Sequence, residues 1–213
     1  MRIVCFGDSN TWGYNPVDGS RHVNRWTRVL QQLRPADEII EAGLNGRTIT
    51  AYDDKEPALH GMTALPIVMQ SQNPVDLVVV MLGTNELKNY LNYSAKRISE
   101  GLEVMVKWLK NPYNWYLSMP PQILLVSPIK VHPEIATRPE ALYSNMGQHA
   151  VTQSEYLPMF VEQLAAAYQV AYLDASTVAE PSVADYIHMD EASHQALGQA
   201  IAAKIAEMNA SNV

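Results

Sequence analysis

The chain of 213 residues has a single cysteine, Cys5, so no intrachain disulfide can form and a disulfide-stapled framework is excluded. Its apolar residues never run on for the roughly 18 positions that a membrane-spanning helix requires. Basic residues are in the minority: 15 Lys and Arg stand against 22 Asp and Glu, a net charge of -7. That balance lacks the positive footprint of a nucleic-acid binder and the basic face of a membrane-surface protein, so neither partner is expected. The six histidines are scattered, and no pair has the spacing of a zinc motif. No metal and no cofactor are expected. Internal repeats and linkers are also missing.

What is present is ordinary globular composition, 47% hydrophobic and 17% charged. Together with the length this predicts one domain over residues 1–213, large enough to bury a substantial core. The first apolar run starts almost at Met1 and leaves no room for a signal peptide, which predicts a cytoplasmic protein. Cys5 lies inside that run and reads as a small buried hydrophobe.

Five apolar runs predict strands, around residues 2–6, 38–43, 75–82, 122–128 and 170–174. Val78-Val79-Val80-Met81-Leu82 and Ile123-Leu124-Leu125-Val126 are continuous, which suits parallel strands buried on both faces. Helical spacing recurs between them: Trp26, Val29, Leu30 and Leu33; Ile98, Leu102, Met105, Val106 and Leu109; Tyr156, Phe160, Leu164 and Ala167; Ala192, Leu197, Ile201 and Ile205. Alternation of this kind predicts an α/β fold, a three-layer α/β/α sandwich with right-handed crossovers. Two long loop segments stand out, 111–121 and 130–148, and the second is a candidate wall for a site at the strand ends.

Three of the turns carry chemistry. The first strand stops at Gly7-Asp8-Ser9-Asn10, and open α/β sheets place ligands at such strand ends. The third runs into Gly83-Thr84-Asn85-Glu86. Near the end lies Asp185-Tyr186-Ile187-His188. Each alone is plain turn chemistry. Together they supply a hydroxyl nucleophile, an imidazole base with an acid to orient it, and an amide donor, the needs of serine acyl transfer.

With those residues in hand, the chain resembles the SGNH hydrolases, the Gly-Asp-Ser-Leu esterase/lipase superfamily, in four blocks running from residue 7 to 188. Gly7-Asp8-Ser9 implies that Ser9 is the nucleophile. Gly43-Leu44-Asn45-Gly46-Arg47-Thr48 implies that the Gly46 N–H helps bind the oxyanion, with that of Ser9. Gly83-Thr84-Asn85-Glu86 implies that the Asn85 amide is another donor. Asp185-x-x-His188 implies the orienting acid and general base. The segments Cys5 to Tyr14, Arg25-Trp26-Thr27 and Met81 to Asn85 are similar to the arylesterase/acyltransferase branch.

The resemblance implies a flavodoxin-like five-stranded parallel sheet of order 2-1-3-4-5. It also implies hydrolysis of short-chain acetyl or aryl esters through an acyl-enzyme, with acyl transfer to alcohols as a branch activity. A carbohydrate acetylesterase of the same family is the alternative. Asn10 replaces the leucine of the family name, and Asn10, Trp12 and Tyr14 are candidate substrate contacts. Asp8 is read as bracing the turn, and Arg47 as a local cation that would suit an acidic substrate. His194, in the opening turn of the last helix with Asp190 as its cap, is read as a surface histidine rather than the base. No long apolar lid segment is present, so an esterase is expected before a true lipase. The expected partner is a small ester, with self-association left open.

Another class shares this topology. In a flavodoxin-like binding protein, Ser9, Asn10 and Thr11 would cradle a phosphate. That reading leaves Asn85, Asp185 and His188 without a task. A phospho-acceptor domain would need an aspartate where this chain has Gly83-Thr84-Asn85.

Overall fold

A computed structural model describes residues 1–51, 57–116, 118–138 and 145–210. Strands and helices alternate: β1 (Arg2–Gly7), α1 (Ser9–Trp12), α2 (Trp26–Leu33), β2 (Glu38–Gly43), α3 (Gly61–Ser71), β3 (Leu77–Met81), α4 (Ala95–Lys110), β4 (Gln122–Ser127), α5 (Gln148–Tyr168), β5 (Ala171–Asp174) and α6 (Glu191–Ala210). The strands form one parallel sheet in the order β2-β1-β3-β4-β5, as expected.

The continuous apolar runs explain why both faces are covered. Alternate residues of a strand point to opposite faces. Val4, Phe6, Val78, Val80 and Leu125 belong to one core with residues of α3, α4 and α5. Ile3, Cys5, Val79, Met81 and Leu124 belong to a second core with α2 and α6. Cys5 is fully buried there, and burial pushes its thiol well above the ordinary range, as expected of an inert packing residue.

Several expectations shift in detail. The third strand is shorter than 75–82, because Val75 is buried ahead of it without joining the ladder. Helix α3 was not expected: Pro66 sits inside it, and proline, lacking an N–H, normally marks a helix end. Four residues assigned to apolar faces point outward: Leu33 is 51% exposed and Tyr156 53%, and Ala167 and Ala192 are exposed too. In α5 the buried stripe instead runs through Val151, Ser154, Leu157, Val161 and Leu164. The core accepts Ser154 because its hydroxyl receives the Val131 N–H at 3.0 Å and donates to Val151 O at 2.8 Å.

The 111–121 loop, of which residue 117 lies outside the described residues, leads into the amino end of β4, whereas Ser9 follows the carboxyl end of β1. Trp115 anchors it by donating to Leu109 O at 2.9 Å, and Ser118 donates to Asn73 Oδ1 at 2.6 Å. Among the described residues no helix is long and apolar enough to cross a membrane.

Candidate active site

The strand order reverses at β1, with β2 on one side and β3 on the other. At such a switch point the loops leaving neighbouring strands diverge and open a crevice at their carboxyl ends. Three of the four candidate segments leave the sheet there.

β1 ends at Gly7, where a Cβ would lie 2.1 Å from Thr11 Oγ1 and 2.7 Å from Met81 O, so only glycine lets the chain turn this tightly. Asp8 caps α1, its Oδ1 accepting the Asn10 N–H at 3.0 Å. It braces the turn as expected and is itself buried. Ser9 is therefore the first residue of a short helix, where backbone N–H groups have no intrahelical acceptor.

β2 leads into a turn closed by the bond from Arg47 N to Leu44 O at 3.1 Å. Gly46 adopts φ +80° there, a conformation that other residues reach only with strain. β3 leads through Gly83 and Thr84 into a single turn over Asn85–Leu87. The Asn85 amide nitrogen donates one hydrogen to Arg47 O at 3.0 Å, which orients the group and leaves its second hydrogen for another acceptor.

The fourth segment precedes α6. His188 Nδ1 lies 2.5 Å from Asp185 Oδ2, and His188 Nε2 lies 2.8 Å from Ser9 Oγ. With Nδ1 donating to the carboxylate, Nε2 is left to accept from the serine hydroxyl. Asp185 Oδ1 also accepts the N–H groups of Ile187 and His188 at 3.0 and 2.9 Å. Burial works against the charge of Asp185, but the bonds and charge of His188 outweigh it and hold its carboxyl below the usual range. Tyr186, between them, has φ 68°, which is costly for a bulky residue. Its carbonyl accepts from His132 N at 3.0 Å and its hydroxyl donates to Glu134 Oε2 at 3.0 Å. The described part of the 130–148 segment thus braces the histidine loop and contributes Met146 to the pocket. Residues 139–144 lie outside the described residues.

The pocket holds about 220 Å³ and is lined by Ser9, Tyr14, Asn45, Asn85, Met146 and His188, among others. A larger cavity of about 740 Å³ opens beside Gln122 and Ala171, at the amino ends of β4 and β5, far from any of these groups. Of the candidate substrate contacts, only Tyr14 reaches the pocket, its ring 4.6 Å from that of His188. Asn10 is buried and ties the ends of the chain together instead, donating to Ile187 O at 3.4 Å and accepting from Met189 N at 3.1 Å. Trp12 lies outside the pocket under the Arg21 guanidinium, 5.1 Å away.

Arg47 is not available to a substrate. It is buried over the Phe6 ring and donates to the carbonyls of Gly7 and Ala42, with burial lowering its pKa to about 10. His194 is also a correction. It is fully buried between α2 and α6, where Nδ1 accepts the Trp26 N–H at 3.4 Å. Burial first, then the neighbouring His22, lowers its pKa to about 3. Asp190 does cap that helix, accepting from Ser193 N at 2.8 Å.

Two buried acids underlie the site. Burial raises Asp8 to about 6 and Glu86 to about 7. Glu86 was visible in its block without a role; its side-chain partner, 37 residues away, could not be seen in the sequence. Among the described residues no group of three or more His, Cys, Asp or Glu could hold a metal ion.

The family described as GDSL-like lipase/acylhydrolase matches residues 3–201. The carbohydrate acetylesterase Est24 from Sinorhizobium meliloti is 31% identical, covering 98% of this chain and 99% of that one, with a TM-score of 0.90. The M. smegmatis aryl esterase is 35% identical over 97% of this chain and 99% of its own, with a TM-score of 0.88. A lipase/acylhydrolase from Enterococcus faecalis, 19% identical over 98% of this chain and 96% of its own at a TM-score of 0.69, shares the fold. No curated protein sequence matches the chain.

Proposed function

Because the chain belongs to the GDSL-like lipase/acylhydrolase family, we propose that it is a serine esterase cleaving short-chain carboxylic esters through an acyl-enzyme. The observation that carries this reading is the unbroken sequence Ser9 Oγ, His188 Nε2, His188 Nδ1, Asp185 Oδ2, with gaps of 2.8 and 2.5 Å.

A serine hydroxyl is a poor nucleophile until a base takes its proton. His188 does so as Ser9 attacks the ester carbonyl, and Asp185 stabilises the imidazolium. The developing oxyanion is held by the N–H groups of Ser9 and Gly46 and by the free amide hydrogen of Asn85. Each such donor is typically worth about a hundredfold to a thousandfold in rate. His188 then returns its proton to the leaving alcohol. Water, or a second alcohol, attacks the acyl-enzyme by the same path in reverse, and the choice between them separates hydrolysis from acyl transfer.

A pocket of about 220 Å³ favours small acyl groups over lipid chains. The leaving group must lie beside His188, and so against the Tyr14 ring. A flat partner, an aryl or a sugar ring, packs there best. The similarity to Est24 favours the sugar acetate as the second reading.

The test is hydrolysis of p-nitrophenyl acetate and its longer-chain homologues beside acetylated xylose, by the wild type and Ser9→Ala. The expected result is a fall with acyl length and a loss of about 10⁴-fold or more in the variant. Equal activity in both proteins would remove Ser9 from its role. Faster release from the sugar acetate would decide for the second reading.

A further inference from the structure

Glu86 lies directly after Asn85 and is 1% exposed. Its Oε1 accepts the backbone N–H of Ile49 in a short hydrogen bond, and its Oε2 has no hydrogen-bond partner among the described residues. Ile49 follows the turn that carries Gly46, and Asn85 already grips the same turn through Arg47 O at 3.0 Å. Two adjacent side chains from the β3 exit therefore fasten one backbone segment at the β2 exit, at points two residues apart. One bond alone would act as a pivot. Two fix both position and orientation. Without Glu86 the Ile49 N–H would be a buried donor with no acceptor, and the segment would move to find one.

We propose that Glu86 is a positioning residue, whose carboxyl pins the Gly46 turn to the Asn85 turn and so sets the spacing of two of the oxyanion donors. The inference rests on the reading of Gly46 and Asn85 as donors. It requires an acceptor at the reach of a glutamate side chain and no particular charge. The burial that raises the pKa of Glu86 agrees with this, because a neutral carboxyl keeps its carbonyl oxygen as an acceptor.

The test compares Glu86→Gln, Glu86→Asp and Glu86→Met with p-nitrophenyl acetate, each alone and with Glu86→Met also in an Asn85→Ala background. Gln keeps the acceptor and its reach, Asp shortens the reach, and Met fills the same buried space with no strong acceptor. Misplacing a catalytic group by about 1 Å can cost about a hundredfold. Asp and Met are therefore expected to lose about ten- to a hundredfold in kcat with KM within about threefold, and Gln to stay within about threefold of the wild type. Added to Asn85→Ala, Met is expected to cost less than about threefold, since that background has already lost one of the two donors whose spacing Glu86 sets and has already released the Gly46 turn from its other bond.

Should Asp fail to fold, Met carries the same comparison, and the reverse. Normal kcat in whichever of them folds would overturn the proposal while leaving Asn85 in its role. A Gln variant as impaired as Met, or a Met penalty undiminished beside Asn85→Ala, would also overturn it. Full activity in Asn85→Ala alone would sink the donor reading, and this proposal with it.

Discussion

The floor beneath Ser9 and the cluster around Glu41 are built from the same kinds of group and end in opposite electrostatic states. Under the site, Asp8, Glu86 and Arg47 are all buried, and each keeps a polar atom without a partner among the described residues: Asp8 Oδ2, Glu86 Oε2 and Arg47 Nε. Both acids are pushed up. On β2, Glu41 receives two bonds of 2.6 Å from Arg25, one from the Thr27 hydroxyl, and the charges of Arg28 at 3.4 Å and Arg21 at 3.6 Å. Burial opposes its charge too, but the Arg25 and Thr27 bonds outweigh it and hold the carboxyl below its ordinary range. The Glu41 carboxylate is satisfied by the groups around it, whereas each of the two acids under Ser9 keeps one oxygen with no partner among the described residues.

That contrast can be sharpened at its catalytic end. Asp185→Asn keeps the shape of the side chain but no longer holds His188 in the tautomer that accepts from Ser9. It should cost about 10⁴-fold in kcat with little change in melting temperature. A drop of under tenfold would mean that Asp185 is an anchor like Glu41 and not part of the chemistry.

Glu41→Ala should behave in the opposite way. It leaves Arg25, 7% exposed, without its counter-charge. The expected loss is about 2–3 kcal/mol by urea denaturation, below the roughly 3–5 of a fully buried pair because solvent reaches the carboxylate. The kcat of the folded variant should stay within about threefold. An unchanged midpoint would show that the arginine cluster is surface decoration, and the comparison would break.

The smallest effect is a pH dependence of stability. Glu86 has an ordinary value of 4.5 and a folded value of about 7, so between these the folded chain holds the proton more tightly. Its contribution is complete below about pH 4.5 and is lost as the pH rises through about 7. Glu86→Gln cannot ionise. Its stability relative to the wild type should therefore rise, by about 1–3 kcal/mol, between pH 4.5 and pH 8. A pH-independent difference between the two proteins would contradict the raised value.

Much of this was legible in the chain. The continuous runs of β3 and β4 announce burial on both faces, since no polar residue interrupts them. Gly7-Asp8-Ser9 and Asp185-x-x-His188 are legible because a cap and a short loop satisfy their own backbone locally. What failed did so for a common reason. Asn10, Trp12, Arg47 and His194 are polar or amphipathic groups beside a motif, and sequence neighbourhood suggested exposure or substrate contact. Three are instead taken up by partners far along the chain, Asn10 by Ile187 and Met189, Arg47 by Gly7 and His194 by Trp26, while Trp12 is covered by the nearby Arg21.

The sequence alone determined most of the segments that extend or coil and which turns carry a hydroxyl, a carboxyl, an imidazole and an amide, because backbone propensity and hydrophobic period are settled within a few residues. Only the tertiary structure decided that Ser9 and His188, 179 positions apart, meet at 2.8 Å. It also decided that Glu86 reaches Ile49 and that Arg47 faces inward. Those outcomes depend on parallel strands brought side by side through crossovers, and on the loss of water around the groups that this pairing buries.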